Sequence, residues 1–305
     1  MQPDLTTTIC RIELNNPTIL ASGVLGVTKA SLVNVLRNGG GAVVTKSISK
    51  DPRKGHPAPI ITTFEAGMLN AVGYSNPGAK KAKEEFCEMD KLAGPAILSI
   101  IGQELDDFKT VWNELKSCGF KAIEVPLSCP HTPGYGTMGG QHTPEMAEKI
   151  TATLKKIADV PVFIKVSPNE NMIPVAKAAE LAGADAIVAT NTMGPGMIIN
   201  LETQTPILGF KMGGVSGPAL KPIAVRCVYD LYKTVKIPII GCGGITTGTD
   251  MIEFMMAGAQ AVQIGTAVYS RTVATYKKIC DEAKNWLKEN DFKKITDVIG
   301  LAHHK

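Results

Sequence analysis

The sequence predicts an α/β fold, a (β/α)8 TIM barrel, as one domain over residues 1–305. Three observations carry that expectation. Eight short apolar runs alternate with helical patterns along a 305-residue chain, a length that suits two average domains or one large barrel. The runs are continuous rather than alternating in polarity, as parallel strands covered on both faces require. Three helix-to-strand junctions, CGFKAIEV, AGADAIVA and AGAQAVQI, repeat one phrase: a helix end, a capping glycine, a strand. A doubly wound sheet is the alternative. It would place a Gly-rich phosphate loop after the first strand, whereas the glycine phrases here, GCGGI and IGTA, come late.

In chain order, residues 6–14 read as a small N-terminal hairpin closing the barrel bottom. Strands are predicted at 18–22, 42–46, 96–101, 122–127, 162–166, 186–189, 238–241 and 261–264. Each is β-rich and followed by a polar or Gly-marked turn. Helical patterns fall between them at 79–89, 104–117, 144–158, 172–182, 219–234 and 249–257. The stretches 50–78 and 194–218 are too long for simple turns and read as inserted rim loops. Long loops with Gly and Pro on a barrel are where function tends to sit. No linker or low-complexity segment divides the chain.

Composition excludes several classes. The chain is 44% hydrophobic and 20% charged, as an ordinary globular protein is. A net charge of +4 without a basic run predicts no nucleic-acid or membrane surface, and 5% aromatics argue against a base-stacking platform. The seven cysteines, at 10, 87, 118, 129, 227, 242 and 280, are scattered, with no C-x-x-C pair. That is neither a disulfide framework nor a zinc or iron–sulfur signature, so no metal is expected and a reducing cytoplasm is. MQPDLTTTIC does not read as a signal peptide, and no apolar run reaches the roughly 18 residues of a membrane span.

In a barrel, the residues that follow the strands share one rim. Here they are Ala21-Ser22-Gly23, Lys46-Ser47, Ser128-Cys129-Pro130-His131, Lys165 with Ser167, Asn191-Thr192, Cys242-Gly243-Gly244 and Gly265-Thr266. Glycines after the seventh and eighth strands suit a phosphate, because they let backbone N–H groups come close to an anion. Lys46 and Lys165 stand at the ends of apolar strands. Either they snorkel to the rim, or they face an electron-rich ligand such as the pyrimidine end of a flavin. Cys129, past a strand end in a Gly/Pro loop, is open to three readings: nucleophile, metal ligand or general base. No His/Asp/Cys cluster supports the metal. Cys242 reads as a small buried hydrophobe lining the site.

The motifs ILASG, TKSIS, NAVGYSNPG, SCPH, FIKVSPN, ATNT, GGVSGPALKP, IIGCGGI and IGTA, in this order, resemble the class 1 dihydroorotate dehydrogenases. The likeness is greatest to the class 1B catalytic subunits of archaea, and it runs from about residue 10 to residue 275. SCPH with its Gly-rich sequel is also similar to the flavin barrel of dihydropyrimidine dehydrogenases, which act on uracil or thymine.

The resemblance implies FMN as cofactor and oxidation of (S)-dihydroorotate to orotate in pyrimidine biosynthesis. It makes Cys129 the base that takes the C5 proton while a hydride goes from C6 to the flavin. Ala21, Ser22, Gly23, Lys46, Ser47 and Lys165 become flavin contacts, and Gly217, Gly243, Gly244, Gly265 and Thr266 the phosphate cradle. Lys46, Asn70, Val72, Gly73, Tyr74, His131, Asn191 and Thr192 become substrate contacts. It further implies a homodimer core and a separate electron-transfer subunit carrying FAD and a 2Fe–2S cluster, which passes electrons to NAD. Two positions depart from the family's N-L-S-C-P-N: Pro126 stands for the first asparagine and His131 for the second. A neutral imidazole can donate and accept as an amide does; the Pro126 side chain can do neither. A flavin-free phosphate-binding barrel and an inactive scaffold subunit are the other readings of the same residues.

Overall fold

A computed structural model describes residues 2–127, 141–168 and 171–304. Its centre is a closed barrel of eight parallel strands: β1 (Thr18–Leu20), β2 (Ala42–Val44), β3 (Ala96–Ser99), β4 (Ala122–Pro126), β5 (Val162–Val166), β6 (Ala186–Ala189), β7 (Ile239–Cys242) and β8 (Ala261–Ile264). Each pairs with the next in sequence, and β8 closes on β1 with Val262 opposite Thr18. Closure rules out the doubly wound alternative, whose sheet would keep two open edges. Four of the predicted strands run on too far at the rim. There the chain peels away to form the pocket, so Ser22, Lys46, Ile101 and Leu127 lie beyond the paired residues. The seventh strand is displaced one residue toward Cys242.

The glycines of the three repeated phrases, Gly119, Gly183 and Gly258, all have positive φ (86°, 96° and 117°). Each ends its helix in a conformation that a Cβ resists, and releases the chain into β4, β6 or β8. Beyond the predicted helices, Lys29–Arg37 follows β1 and Thr275–Glu289 closes the ring after β8. Among the described residues no helix is long and apolar enough to cross a membrane.

Strand periodicity then divides inside from outside. Along β5, Val162, Ile164 and Val166 join the outer core beneath the helices, while Phe163 turns into the barrel. Ala122 on β4 and Ala261 on β8 point the same way as Phe163. The hairpin Thr7–Ile9/Ile12–Leu14 sends Ile9, Ile12 and Leu14 into this inner cluster, so the barrel bottom is plugged with apolar side chains as predicted. Two residues further up the same strands, the inward positions are Glu124, Lys165 and Gln263. The barrel interior therefore changes from apolar to polar within one layer.

The rim loops 50–78 and 194–218 are not irregular. Together they build a four-stranded antiparallel sheet in the order Met193–Gly196, Gly213–Ser216, Gly67–Asn70, Ile61–Phe64. Gly214 pairs with Asn70, and Ile61 with the same asparagine on its other side.

Candidate active site

The polar layer is the floor of a cavity at the C-terminal rim. The predicted residues among those described converge on it. Ala21, Ser22, Gly23, Lys46, Ser47, Asn70, Val72, Gly73, Tyr74, Lys165, Asn191, Thr192, Gly217, Gly243, Gly244, Gly265 and Thr266 all line this one space. Cys129 and His131 lie outside the described residues, as do Ser128 and Pro130. Pro126, the last residue of β4, does line the cavity.

One wall belongs to the four-stranded sheet. Asn70 ends its central strand, and its Nδ2 donates to the Gly214 carbonyl at 3.3 Å. The chain then turns through Val72-Gly73-Tyr74, where Gly73 lies against the His56 ring and the Val72 carbonyl accepts from His56 N at 3.1 Å. Lys46 Nζ sits 5.6 Å from the centre of the Tyr74 ring, a cation–π distance that ties the end of β2 to this segment. On the opposite side Asn191 N donates to the Val166 carbonyl at 2.8 Å, and Asn191 Oδ1 accepts from Thr192 N at 2.9 Å. Behind Ser22 a hydroxyl chain runs into the barrel: Ser22 Oγ to Ser47 Oγ at 3.2 Å, and Ser47 Oγ to Ser99 Oγ at 2.9 Å.

The cradle end is built from glycine. Gly244 has φ +74°, and a Cβ there would stand 2.7 Å from the Gly217 carbonyl oxygen and 2.8 Å from Lys221 N, so two backbone segments meet where no side chain fits. Gly265 is different. Its φ is ordinary and an added Cβ would make only normal contact, 3.5 Å from Ala21 Cβ. Among the described residues no packing contact demands glycine at 265, and the residue borders the cavity, where a glycine would let a ligand come close to the backbone.

Asp250 clamps the cradle loop and is absent from the sequence-based set. Its carboxylate accepts from Thr246 N (2.8 Å), Thr246 Oγ1 (2.9 Å), Thr247 N (2.8 Å) and Lys221 Nζ (2.8 Å). Burial opposes its charge, but these donors, Lys221 foremost, hold it down to about 2. A depressed carboxylate contributes stability that is full above its unfolded value and lost as pH falls through the folded one. Asp250→Asn should therefore cost about 2 kcal/mol at pH 6, and the gap to the parent should close between about pH 4 and pH 2. Urea denaturation along that pH series checks it. A gap that stays constant down to pH 2 would show that the charge does not matter.

The floor holds the second feature that sequence reading passes over. Lys165 is 3% exposed and Glu124 0%. Lys165 Nζ donates to Gln263 Oε1 at 2.7 Å and lies 3.7 Å from Glu124 Oε1. Gln263 Nε2 in turn donates to Glu124 Oε2. Lys165 therefore does not snorkel to the rim. Burial pulls its ammonium down, and the neighbouring Cys242 and Glu124 outweigh that, so the group stands above its ordinary value. The Cys242 thiol, also on the floor, is pushed up by burial despite Lys165. A visible signal for this floor exists: Glu124 and Gln263 are lone polar residues inside the apolar runs AIEVP and AVQI. Among the described residues no cluster of three or more His, Cys, Asp or Glu side chains could hold a metal.

Comparison with known proteins agrees with this architecture. The family model described as dihydroorotate dehydrogenase matches residues 4–287. A protein of Methanocella arvoryzae named dihydroorotate dehydrogenase B (NAD(+)), catalytic subunit, is 46% identical over 294 residues, 96% of this chain and 95% of the relative. Proteins of the same name from Methanothermobacter thermautotrophicus and Pyrococcus furiosus are 42% identical over 301 residues and 44% identical over 292. Those matches cover 98% of both chains in the first case, and 95% of this chain and 96% of the relative in the second. With the barrel, the rim cavity and full-length similarity in agreement, the chain belongs to the dihydroorotate dehydrogenase family, on the branch of its class 1B catalytic subunits.

Proposed function

We propose that this chain is a flavin-dependent oxidoreductase that oxidises the C5–C6 bond of (S)-dihydroorotate to give orotate, with FMN as the flavin. The observation that carries the reading is the shared cavity. A glycine cradle after β7 and β8 and two buried lysines open on one space, between a wall bearing Asn70 and a wall bearing Asn191 and Thr192. The residues fit the cofactor. Gly265 borders the cavity with no packing reason among the described residues to be glycine, and Gly217, Gly243, Gly244 and Thr266 line the same cavity. These residues would hold the phosphate, and Ala21, Ser22, Gly23, Lys46, Ser47 and Lys165 the ring system. FMN, when bound, supplies the two-electron acceptor.

The chain's own residues do the rest. Asn70, Asn191 and Thr192 offer amide and hydroxyl groups to the ring amides and carbonyls of the substrate. Val72, Gly73 and Tyr74 with the Lys46 ammonium form the anion-binding end of the site, which suits the carboxylate. Cys129 takes the C5 proton, and His131 stands in for an asparagine amide at the ring edge. Pro126 gives no hydrogen bond, so affinity for the ring rests more on the opposite walls. A separate electron-transfer subunit with FAD and a 2Fe–2S cluster, docked on a homodimer of this chain, would reoxidise the site. The word "catalytic subunit" in the relatives' names supports such a division of labour.

The test is spectral. Acid should release FMN, one per chain, from the purified protein, and anaerobic dihydroorotate should bleach the bound flavin. A protein that stays colourless after refolding with excess FMN would overturn the reading. Bleaching by dihydrouracil rather than dihydroorotate would move the substrate to a pyrimidine without the carboxylate.

A further inference from the structure

Three of the inward positions of the barrel's upper layer form a closed polar unit across the barrel. Lys165 on β5, Glu124 on the adjacent β4 and Gln263 on β8 are each 3% exposed or less. The Gln263 amide can bridge in one orientation only: an ammonium has no acceptor and a carboxylate no hydrogen, so Oε1 faces Lys165 and Nε2 faces Glu124. Glu124 Oε1 makes no hydrogen bond and looks onto the ammonium at 3.7 Å. A buried carboxylate placed there is costly, and removing its partner costs more still. Binding a phosphate or a pyrimidine carboxylate does not explain it, since it repels both.

We propose that Glu124, with Gln263 as its bridge, is a positioning residue that keeps Lys165 permanently charged and sets how much of that charge the bound flavin feels. The inference rests on the FMN reading above and deepens it. The titratable groups facing Lys165 among the described residues are Glu124 on β4 and Cys242 on β7. Burial pushes the thiol up, and Glu124 is the carboxylate that pairs with the ammonium, at 3.7 Å. With the carboxylate in place the ammonium keeps its proton whether the flavin is oxidised or reduced. Reduction is then not coupled to proton uptake by this lysine. Without it, burial dominates, and the ammonium holds its proton firmly only when negative charge develops on the flavin.

The experiment measures the flavin midpoint potential against pH in the FMN-loaded parent, E124Q, K165M and the E124Q/K165M double variant. At the acid end E124Q should lie above the parent, because the ammonium is no longer offset. With rising pH its potential should fall more steeply, by one additional proton per two electrons. In the K165M background the E124Q change should produce no such extra slope, since Glu124 acts through the lysine. Parallel profiles for E124Q and parent, or the same extra slope with and without Lys165, would overturn the inference. Thermal midpoints of the flavin-free proteins give a second readout. The double variant should melt above K165M, and a double variant that melts lower would count against a Glu124–Lys165 pair. A parent that takes up no flavin sinks the functional reading itself; a flavin-loaded parent with an unchanged E124Q profile sinks only this step.

Discussion

Cys129→Ser should slow reduction of the flavin by dihydroorotate about 10²–10⁴-fold near neutral pH while orotate still binds. The serine hydroxyl is close in size to the thiol but far less acidic, so its alkoxide is essentially unpopulated where the chemistry runs. A thiol of ordinary pKa, about 8.5, is mostly protonated at pH 7, so the parent rate should climb with pH toward that value. In the serine variant the climb should continue past it. Cys242 is the control. It lines the rim cavity at its floor, and burial raises its thiol, so it is a poor base. Cys242→Ser should cost much less. Stopped-flow reduction under anaerobic conditions separates the two, and equal losses would show that the base has been assigned to the wrong thiol.

The second large effect should come from Lys165→Met. Methionine fills a similar volume, but Glu124 is left fully buried with no cation. Breaking a buried pair from one side costs about 3–5 kcal/mol, far more than a lost surface ion pair. Flavin binding should weaken as well, and the flavin that does bind should be harder to reduce, since no positive charge opposes the charge of the reduced ring. Guanidinium denaturation and flavin titration give the two numbers. A variant as stable as the parent, with full flavin occupancy and an unchanged potential, would remove Lys165 from the site.

The barrel was legible because its signals are local. Parallel strands buried on both faces are apolar along their whole length, and Gly119, Gly183 and Gly258 mark three helix ends by their own backbone needs. Most of the rim residues followed from that frame, since a strand end in a barrel has one place to go. The antiparallel sheet did not. Its strands are only four residues each and of mixed burial, such as the largely exposed Ile61–Phe64, and its pairings join segments no local pattern connects. Glu124 was hidden for a related reason. A charge in an apolar run is visible, yet what makes it bearable is Gln263, 139 positions away and across the barrel. Asp250 is a helix-capping residue by its sequence position, and only the fold shows that the loop it caps is the cradle.

The sheet formed by the two rim loops also bears on how such a site could be altered. Asn70 is held from one side by Ile61 and from the other by Gly214, whose strand ends at Ser216, directly before the cradle residue Gly217. Asn70 and Gly217, the residues proposed to meet the substrate and the phosphate, thus sit respectively in one hydrogen-bonded ladder and immediately after its last residue. Loops on many barrels can be exchanged singly, like interchangeable tools on one handle. Here neither loop is a module. Grafting 50–78 onto another barrel without 194–218 would carry over the asparagine and leave behind the strand that aims it. New substrate preferences on this scaffold are therefore expected to arise by paired changes in both loops, or by single changes at positions such as Pro126 that hang from the barrel itself.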